Sequence, residues 1–168
     1  MNKTMRYVIL ILAGILVGMI IGIPGGLLLK NYSPIAPVVV EGKSMAPGLQ
    51  DEQMMWMKRV TQNTSLERFD IVLFKCDETN TNAIKRIIGL PGETVSIDDA
   101  GHIFIDGEIL EENYGSEPID KAHLHKMADG NEITLKEDEY FVLGDNRNNS
   151  FDSRAIGPVK RETILRYY

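Results

Sequence analysis

The fold is indicated most directly by the stretch Ala83-Ile84-Lys85-Arg86-Ile87-Ile88-Gly89-Leu90-Pro91-Gly92, a β-rich apolar run that ends in a Pro-Gly turn. Side chains alternate across a strand, so Lys85 lies on one face with Ile87 while Arg86 lies on the other. Most lysines occupy polar, solvated surroundings, and Lys85 does not share that context. The stretch therefore predicts a strand that carries a lysine among apolar side chains.

Other short strands are predicted on both sides of this one. They combine apolar, β-branched and aromatic residues between turn signals, and they cover residues 38–40, 53–60, 69–75, 94–97, 102–105, 108–110 and 140–143. The section 111–131 is polar and irregular, which indicates an exposed insertion. Short strands at close spacing, without a long amphipathic helix between them, predict a compact and mainly antiparallel β domain.

The N-terminal region is strongly apolar. Residues 7–29 carry no charge and are long enough to cross a hydrocarbon core of about 30 Å. A cleaved secretory signal is the alternative, because Lys3 and Arg6 would also form its basic start. The run is longer than the apolar part of such a signal, and Pro37 follows Ala36 where a cleavage site would be sought. A retained transmembrane helix is therefore predicted.

The charges divide the chain into three predicted parts. Residues 1–6 form a cytoplasmic N-terminus, because Lys3 and Arg6 precede the transmembrane helix at 7–29, and residues 30–168 form an extracytoplasmic domain. Three of the 18 basic residues lie in the first 30 positions, whereas all 24 acidic residues follow them. The acidic domain disfavours nucleic acid as a partner.

A candidate nucleophile lies in the stretch Gly42-Lys43-Ser44-Met45-Ala46-Pro47-Gly48-Leu49. Ser44 follows a strand-like run and precedes a Pro-Gly turn, so it is placed at the end of a rigid element. A serine in such a turn also commonly hydrogen-bonds its own backbone. The choice between these roles depends on whether a base is available.

Two kinds of base can activate a serine. The three histidines, His102, His123 and His125, all fall in the polar middle section, which lacks the ordered apolar context of a catalytic imidazole. A lysine made neutral by burial is the other kind. Lys85 is the lysine with the required apolar neighbours.

A third stretch begins as a strand and becomes a dense series of turn formers, acids, amides and arginines. Its sequence is Tyr140-Phe141-Val142-Leu143-Gly144-Asp145-Asn146-Arg147-Asn148-Asn149-Ser150-Phe151-Asp152-Ser153-Arg154-Ala155-Ile156-Gly157-Pro158-Val159. Such a density of polar groups exceeds what a connector needs. It predicts a loop whose shape is maintained by its own hydrogen bonds and ion pairs.

Together these motifs resemble those of type I signal peptidases, in the short form typical of Gram-positive bacteria. The shared patterns are Ser-Met-x-Pro from residue 44, Lys-Arg-x-x-Gly-Leu-Pro-Gly from residue 85, and Gly-Asp-Asn-Arg-x-Asn-Ser-x-Asp-Ser-Arg-x-x-Gly-x-Val from residue 144. The resemblance implies the compact antiparallel β fold of that family. It also implies a serine endopeptidase at the cell membrane that removes N-terminal signal peptides after small residues, with neither a metal nor a cofactor.

The resemblance assigns Ser44 as nucleophile, Lys85 as base, and Ser150 as the residue that hydrogen-bonds the lysine amine. An ordinary lysine, with a pKa of about 10.4, is protonated at neutral pH, and burial among apolar groups lowers that value. Ser150 could alternatively cap a turn of its loop. The resemblance also implies two structural ion pairs, Arg86 with Asp145 and Arg154 with Asp152.

Arg86 is next to Lys85 in the sequence, so its positive charge would also oppose protonation of the lysine if the two groups lie close together. A plain solvated surface role is the alternative for the arginines.

The substrate would bind as an extended peptide between residues 38–43 and residues 82–84, main chain to main chain. The residues expected to line its pockets are Val40, Gly42, Met45, Leu49 and Ile84. The apolar members of this set are equally compatible with a plain core. Many relatives have a serine that assists the oxyanion where this chain has Gly42, so the second oxyanion donor is not assigned.

Two other functions fit parts of the pattern. A non-catalytic relative could act as an assembly factor or chaperone for surface proteins such as pilins, although Ser44 and Lys85 are both present. A self-cleaving repressor shares the first motif, but it would carry a DNA-binding segment where this chain has an apolar one. The expected partners are therefore signal-peptide-bearing precursors and the lipid bilayer.

Overall fold

The computed structural model describes residues 33–115, residue 119 and residues 131–168. The chain divides between Ala36 and Pro37, and Pro37–Tyr168 forms one compact unit. The predicted transmembrane helix at 7–29 and most of the predicted insertion lie outside the described residues. Within the described residues, no helix has the length and apolar character needed to span a bilayer.

The described part of the chain is built mainly from antiparallel strands, which confirms the predicted mainly β domain. Its eleven strands are β1 (Ile35–Val39), β2 (Met54–Arg59), β3 (Ile71–Cys76), β4 (Thr81–Gly89), β5 (Thr94–Ile97), β6 (Ile103–Ile105), β7 (Glu108–Ile109), β8 (Glu132–Thr134), β9 (Glu139–Leu143), β10 (Val159–Lys160) and β11 (Ile164–Tyr167). A seven-stranded sheet has the order β1-β2-β11-β3-β4-β9-β10, and a four-stranded sheet has the order β7-β6-β5-β8.

Three of these strands, β8, β10 and β11, were not predicted from the sequence. They are two to four residues long, and β8 contains a single apolar residue, so the local pattern is too short to be recognised. Strand β11 nevertheless lies inside the large sheet, between β2 and β3. Its place is set by pairing with strands that are distant in the sequence.

Side chains on the two faces of strand β4 pack in different apolar clusters, as their alternation predicts. It pairs with β3 so that Lys85 is opposite Val72. Ile87 packs with Val72 and Phe74 in one cluster, whereas Ile84 packs against a second cluster that contains Met45. Burial of each such side chain contributes about 1.5–3 kcal/mol to folding.

The last residue of β4 joins the two sheets. A side chain at Gly89 would collide with Val95 of β5 and with Leu135, because the β4 backbone packs directly against the small sheet. The pairing of β4 with β9 also shifts register between Ile87 and Gly89. A larger residue here would push the small sheet away from the strand that carries Lys85.

The predicted polar loop follows β9 and contains a 3-10 turn at Arg147–Asn149 and a short helical turn at Ser153–Ile156. Its shape is maintained from within. The Asp152 carboxylate accepts hydrogen bonds from the backbone N–H groups of Gly144, at 3.0 Å, and Arg154. The Ser153 hydroxyl accepts one from the Val142 N–H at 2.9 Å.

Candidate active site

The structure brings the candidate nucleophile and base together. The Lys85 Nζ and the Ser44 Oγ lie 2.8 Å apart, and the amine also donates to the Ile84 carbonyl at 3.0 Å. Ser44 is in the loop between β1 and β2, whereas Lys85 is in the middle of β4. Met45, buried beside Ser44, anchors that loop in the apolar core.

Lys85 lies in a site that disfavours its charge. Its side chain is buried, and loss of solvation lowers the pKa of its amine below the ordinary 10.5. The carboxylate of Asp152 opposes this shift, and the guanidinium of Arg154 adds to it. Both hydrogen-bond partners of the amine are uncharged groups, a hydroxyl and a carbonyl. The adjacent Arg86, which was expected to oppose protonation of Lys85, binds Asp145 instead.

The two expected ion pairs are present and buried. Arg86 binds Asp145 through Nε at 2.8 Å and Nη2 at 2.7 Å, and it donates through Nη1 to the Phe69 carbonyl at 3.0 Å. Arg154 binds Asp152 through Nε at 2.8 Å and Nη2 at 2.7 Å. Bidentate pairing of this kind compensates the cost of removing both charges from water only when the geometry is good.

Gly48 is part of the packing around the first ion pair. A Cβ at this position would collide with the Asp145 carboxylate. The glycine therefore lets the loop after Ser44 approach the ion pair closely. The Ala46–Pro47 peptide bond in the same loop is cis.

Ser150 lies close to the candidate dyad without a bond to it. Its Oγ is buried and has no hydrogen-bond partner among the described residues. A Cβ at Gly144 would collide with this Oγ and with the Ser44 carbonyl, so Gly144 packs between the two serines. The hydrogen bond expected from Ser150 to the Lys85 amine is not formed in this structure.

A cleft of about 640 Å³ opens beside Ser44 and Lys85. Three of the five predicted substrate-binding residues line it: Val40, Met45 and Ile84. The other two do not belong to its lining. Leu49 is buried in the same apolar cluster as Met45, and the Gly42 N–H donates to the Asp51 carboxylate at 2.8 Å.

The cleft also contains residues that the sequence analysis did not identify. Phe151, between Ser150 and Asp152, is exposed and lines the cleft together with Ser44. Thr79, in the turn before β4, and Thr81, the first residue of β4, also line it. The sequence did not indicate a role for these residues. Phe151 is one apolar residue in a polar loop, and the segments that form the cleft with it are distant in the sequence.

Comparison with known proteins gives a consistent family. The family model "Signal peptidase, peptidase S26" matches residues 7–166. Signal peptidase I P of Bacillus subtilis subsp. natto is 37% identical over 143 residues, which is 82% of this chain and 76% of the relative. Signal peptidase I T of Bacillus subtilis strain 168 is 34% identical over 143 residues, covering 82% of this chain and 74% of the relative.

A solved structure agrees with the sequence relatives. The crystal structure of a signal peptidase I from Enterococcus faecalis V583 is 36% identical and has a TM-score of 0.50. The similarity covers 60% of this chain and 94% of that chain. The chain therefore belongs to the signal peptidase family, peptidase S26, and is a signal peptidase of the serine protease type.

Proposed function

We propose that this signal peptidase uses Ser44 and Lys85 as a catalytic dyad and cleaves signal peptides from exported precursors after small residues, while an N-terminal helix holds it in the membrane. The observation that carries the proposal is the 2.8 Å separation of the Lys85 Nζ and the Ser44 Oγ. Burial that lowers the pKa of the amine supports it, since only a neutral amine can accept a proton.

In the proposed first half-reaction, the neutral Lys85 amine accepts the hydroxyl proton of Ser44 while Oγ attacks the carbonyl carbon of the scissile bond. The tetrahedral intermediate collapses, the carbon–nitrogen bond breaks, and the lysine returns its proton to the leaving amine. The mature protein departs and the signal peptide remains as an ester on Ser44.

In the second half-reaction, Lys85 takes a proton from a water molecule, and the resulting hydroxide attacks the ester. The carbon–oxygen bond to Ser44 breaks and the lysine gives the proton back to Oγ. The backbone N–H of Ser44 is proposed as one donor to the oxyanion in both halves. Ser150 is proposed to orient the amine, and this role is supported by its buried Oγ, which has no hydrogen-bond partner among the described residues.

The substrate is proposed to bind as an added strand. Strand β1 is at one edge of the large sheet, and β9 pairs with β4 only from Arg86 to Gly89, which leaves that side of residues 81–84 open among the described strands. These two edges flank the cleft. Val40, Met45 and Ile84 would then leave room only for small side chains before the cleaved bond.

The membrane anchor is proposed from the uncharged run at residues 7–29. A precursor carries its own apolar signal segment in the same bilayer. Confining both partners to the bilayer raises their effective concentration relative to a soluble encounter. The proposed topology has residues 1–6 in the cytoplasm and residues 30–168 outside it.

The proposal is tested with the full chain in detergent and a precursor that carries an Ala-x-Ala signal. Wild type should release the mature protein after the second alanine, as read by mass spectrometry, and Ser44→Ala should release none. Ser65→Ala, an exposed serine elsewhere, is the matched control. Equal cleavage by wild type and Ser44→Ala would reject the dyad. No cleavage by the wild-type protein would favour an assembly role.

A further inference from the structure

The loop after β9 contacts the candidate nucleophile directly. Asn146 donates from its backbone N–H to the Ser44 carbonyl at 3.0 Å and from its Nδ2 to the Lys43 carbonyl at 3.1 Å. Gly144, two residues earlier, packs against the Ser44 carbonyl and the Ser150 hydroxyl. The position of residues 144–147 therefore sets the position of the backbone that carries Ser44.

Arg147 links this loop to residues 111–115, which we call the clamp segment. Its Nε donates to the Gly144 carbonyl at 3.1 Å, and Nη1 and Nη2 donate to the Glu112 carboxylate at 2.5 and 2.7 Å. The arginine is buried. A Cβ at Gly115 would lie 3.1 Å from the Arg147 Cζ, so the clamp segment packs closely against the guanidinium.

Tyr114 of the clamp segment contacts the loop through a second arginine. Its ring lies 3.8 Å from the Arg86 Cζ and 5.1 Å, between centroids, from the Phe69 ring. The nitrogens of Arg86 donate to Asp145 and to the Phe69 carbonyl. The Tyr114 ring covers the planar face of the guanidinium. A cation over an aromatic face is stabilised most strongly when water is excluded.

We propose that Glu112 and Tyr114 are positioning residues for the cleavage reaction. Each one restrains an arginine that binds residues 144–145, in the loop after β9 that hydrogen-bonds the backbone of Ser44. This inference rests on the proposed function. Glu112 acts through Arg147 on Gly144, and Tyr114 acts through Arg86 on Asp145. The clamp segment is thus linked to two neighbouring residues of one loop, Gly144 and Asp145, through two different arginines. A single contact would be enough to attach a surface segment.

The expected consequence is kinetic. Misplacement of a reacting group by about 1 Å can lower a rate by roughly 10²-fold. Tyr114→Leu should therefore lower kcat by about 10- to 100-fold. Glu112→Gln, which retains the shape but removes the charge, should lower it by about 3- to 10-fold. Because the cleft walls in β1 and β4 are untouched, KM should stay within about twofold of wild type.

The experiment measures kcat and KM of the full chain in detergent with a signal-bearing precursor, at a temperature where every variant remains folded. Tyr114→Phe keeps the ring over Arg86 and should recover most of the activity that Tyr114→Leu loses. Glu111→Gln makes the same substitution as Glu112→Gln at the exposed neighbouring residue and should match wild type. If Tyr114→Leu does not fold, the comparison of Glu112→Gln with Glu111→Gln decides.

Two results would overturn the inference. One is a kcat within twofold of wild type for both Tyr114→Leu and Glu112→Gln. The other is a raised KM with unchanged kcat, which would mean that the clamp segment contacts the substrate. Neither result affects the dyad, whose failure would instead appear as full activity of Ser44→Ala. The two proposals can therefore fail separately.

Discussion

Two neighbouring basic residues of strand β4, Lys85 and Arg86, lie on opposite faces of the strand and have different surroundings. Lys85 and Arg86 are almost equally buried, with 5% and 7% of their surfaces exposed. Lys85 faces a hydroxyl and a carbonyl, and burial lowers the pKa of its amine. Arg86 faces a carboxylate that binds it through two nitrogens, and a tyrosine ring covers its plane.

The contrast indicates what converts a buried cation into a base. Burial alone is common to both residues, so it does not distinguish them. The difference lies in the hydrogen-bond partner. A bidentate carboxylate compensates the charge of Arg86, whereas Lys85 bonds only to uncharged groups, and the more distant Asp152 carboxylate does not outweigh the loss of solvation. Lysine is also the residue type that loses its proton readily when buried, which arginine does not.

The most severe test exchanges the two residue types one position at a time. Lys85→Arg keeps a positive charge that cannot be removed, so it should lower kcat/KM by at least about 10³-fold. Arg86→Lys keeps the charge but loses the bidentate geometry, and it should retain a measurable part of the activity. The measurement is kcat/KM for precursor cleavage by each variant and by wild type. More than a tenth of the wild-type value in Lys85→Arg would contradict lysine as the base.

The second test removes the compensating carboxylate. Asp145→Asn leaves Arg86 buried without a counter-charge, which should lower the free energy of unfolding by about 3–5 kcal/mol. Asp77→Asn is the control, because the Asp77 side chain is exposed and its contact with Lys75 is long, at 4.0 Å. It should lose about 1 kcal/mol or less. Urea unfolding measures both, and similar losses would remove the distinction between the two kinds of ion pair.

The third test concerns the cost of burying Lys85. Lys85→Met has a similar length and no charge, so it should raise the free energy of unfolding at neutral pH by about 1–3 kcal/mol. The lowered pKa of Lys85 means that the unfolded state binds more protons than the folded state between the lowered value and 10.5. The contribution of Lys85 to the wild-type free energy of unfolding should therefore rise with pH across that interval. The Lys85→Met variant should lack this rise. Urea unfolding at a series of pH values measures this dependence. An equal slope of unfolding free energy against pH in both proteins would count against a neutral Lys85.

The smallest expected effect comes from the histidines. Replacement of His102, His123 and His125 by glutamine should leave kcat/KM within about twofold of wild type. The cleavage rate of both proteins should increase with pH as the Lys85 amine loses its proton, with a midpoint below 10.5 because burial lowers its pKa. Disappearance of that increase in the histidine-free variant, with the fold intact, would assign the base to a histidine.

Much of the site was predictable because its parts carry local patterns. Lys85 stood out as a lysine in an apolar run, and Ser44 as a hydroxyl before a Pro-Gly turn. Their roles and the arginine pairs came from a resemblance of spaced motifs and not from geometry. The bond that the resemblance implied from Ser150 to the Lys85 amine is not formed, because a sequence motif does not specify the hydrogen-bond geometry of a side chain.

Other features were not predictable because they join segments that are distant in the chain. Glu112 and Tyr114 lie in a section that looked like a featureless insertion, yet they contact Arg147 and Arg86. Leu49 was expected in the substrate pocket and packs in the core instead. An apolar side chain near a nucleophile fits either environment, and only the packing of the sheet decides between them.

The amino-acid pattern was sufficient for the mainly β domain, for the strand that carries Lys85, and for proposing Ser44 and Lys85 as a pair. Alternation and turn chemistry act over a few residues, so these features are visible in single stretches. The folded chain alone decided the 2.8 Å contact between residues 41 positions apart, the water exclusion that lowers the amine pKa, and the arginine contacts of the clamp segment. These depend on long-range packing, since solvation and distance are properties of the assembled core and not of any single stretch.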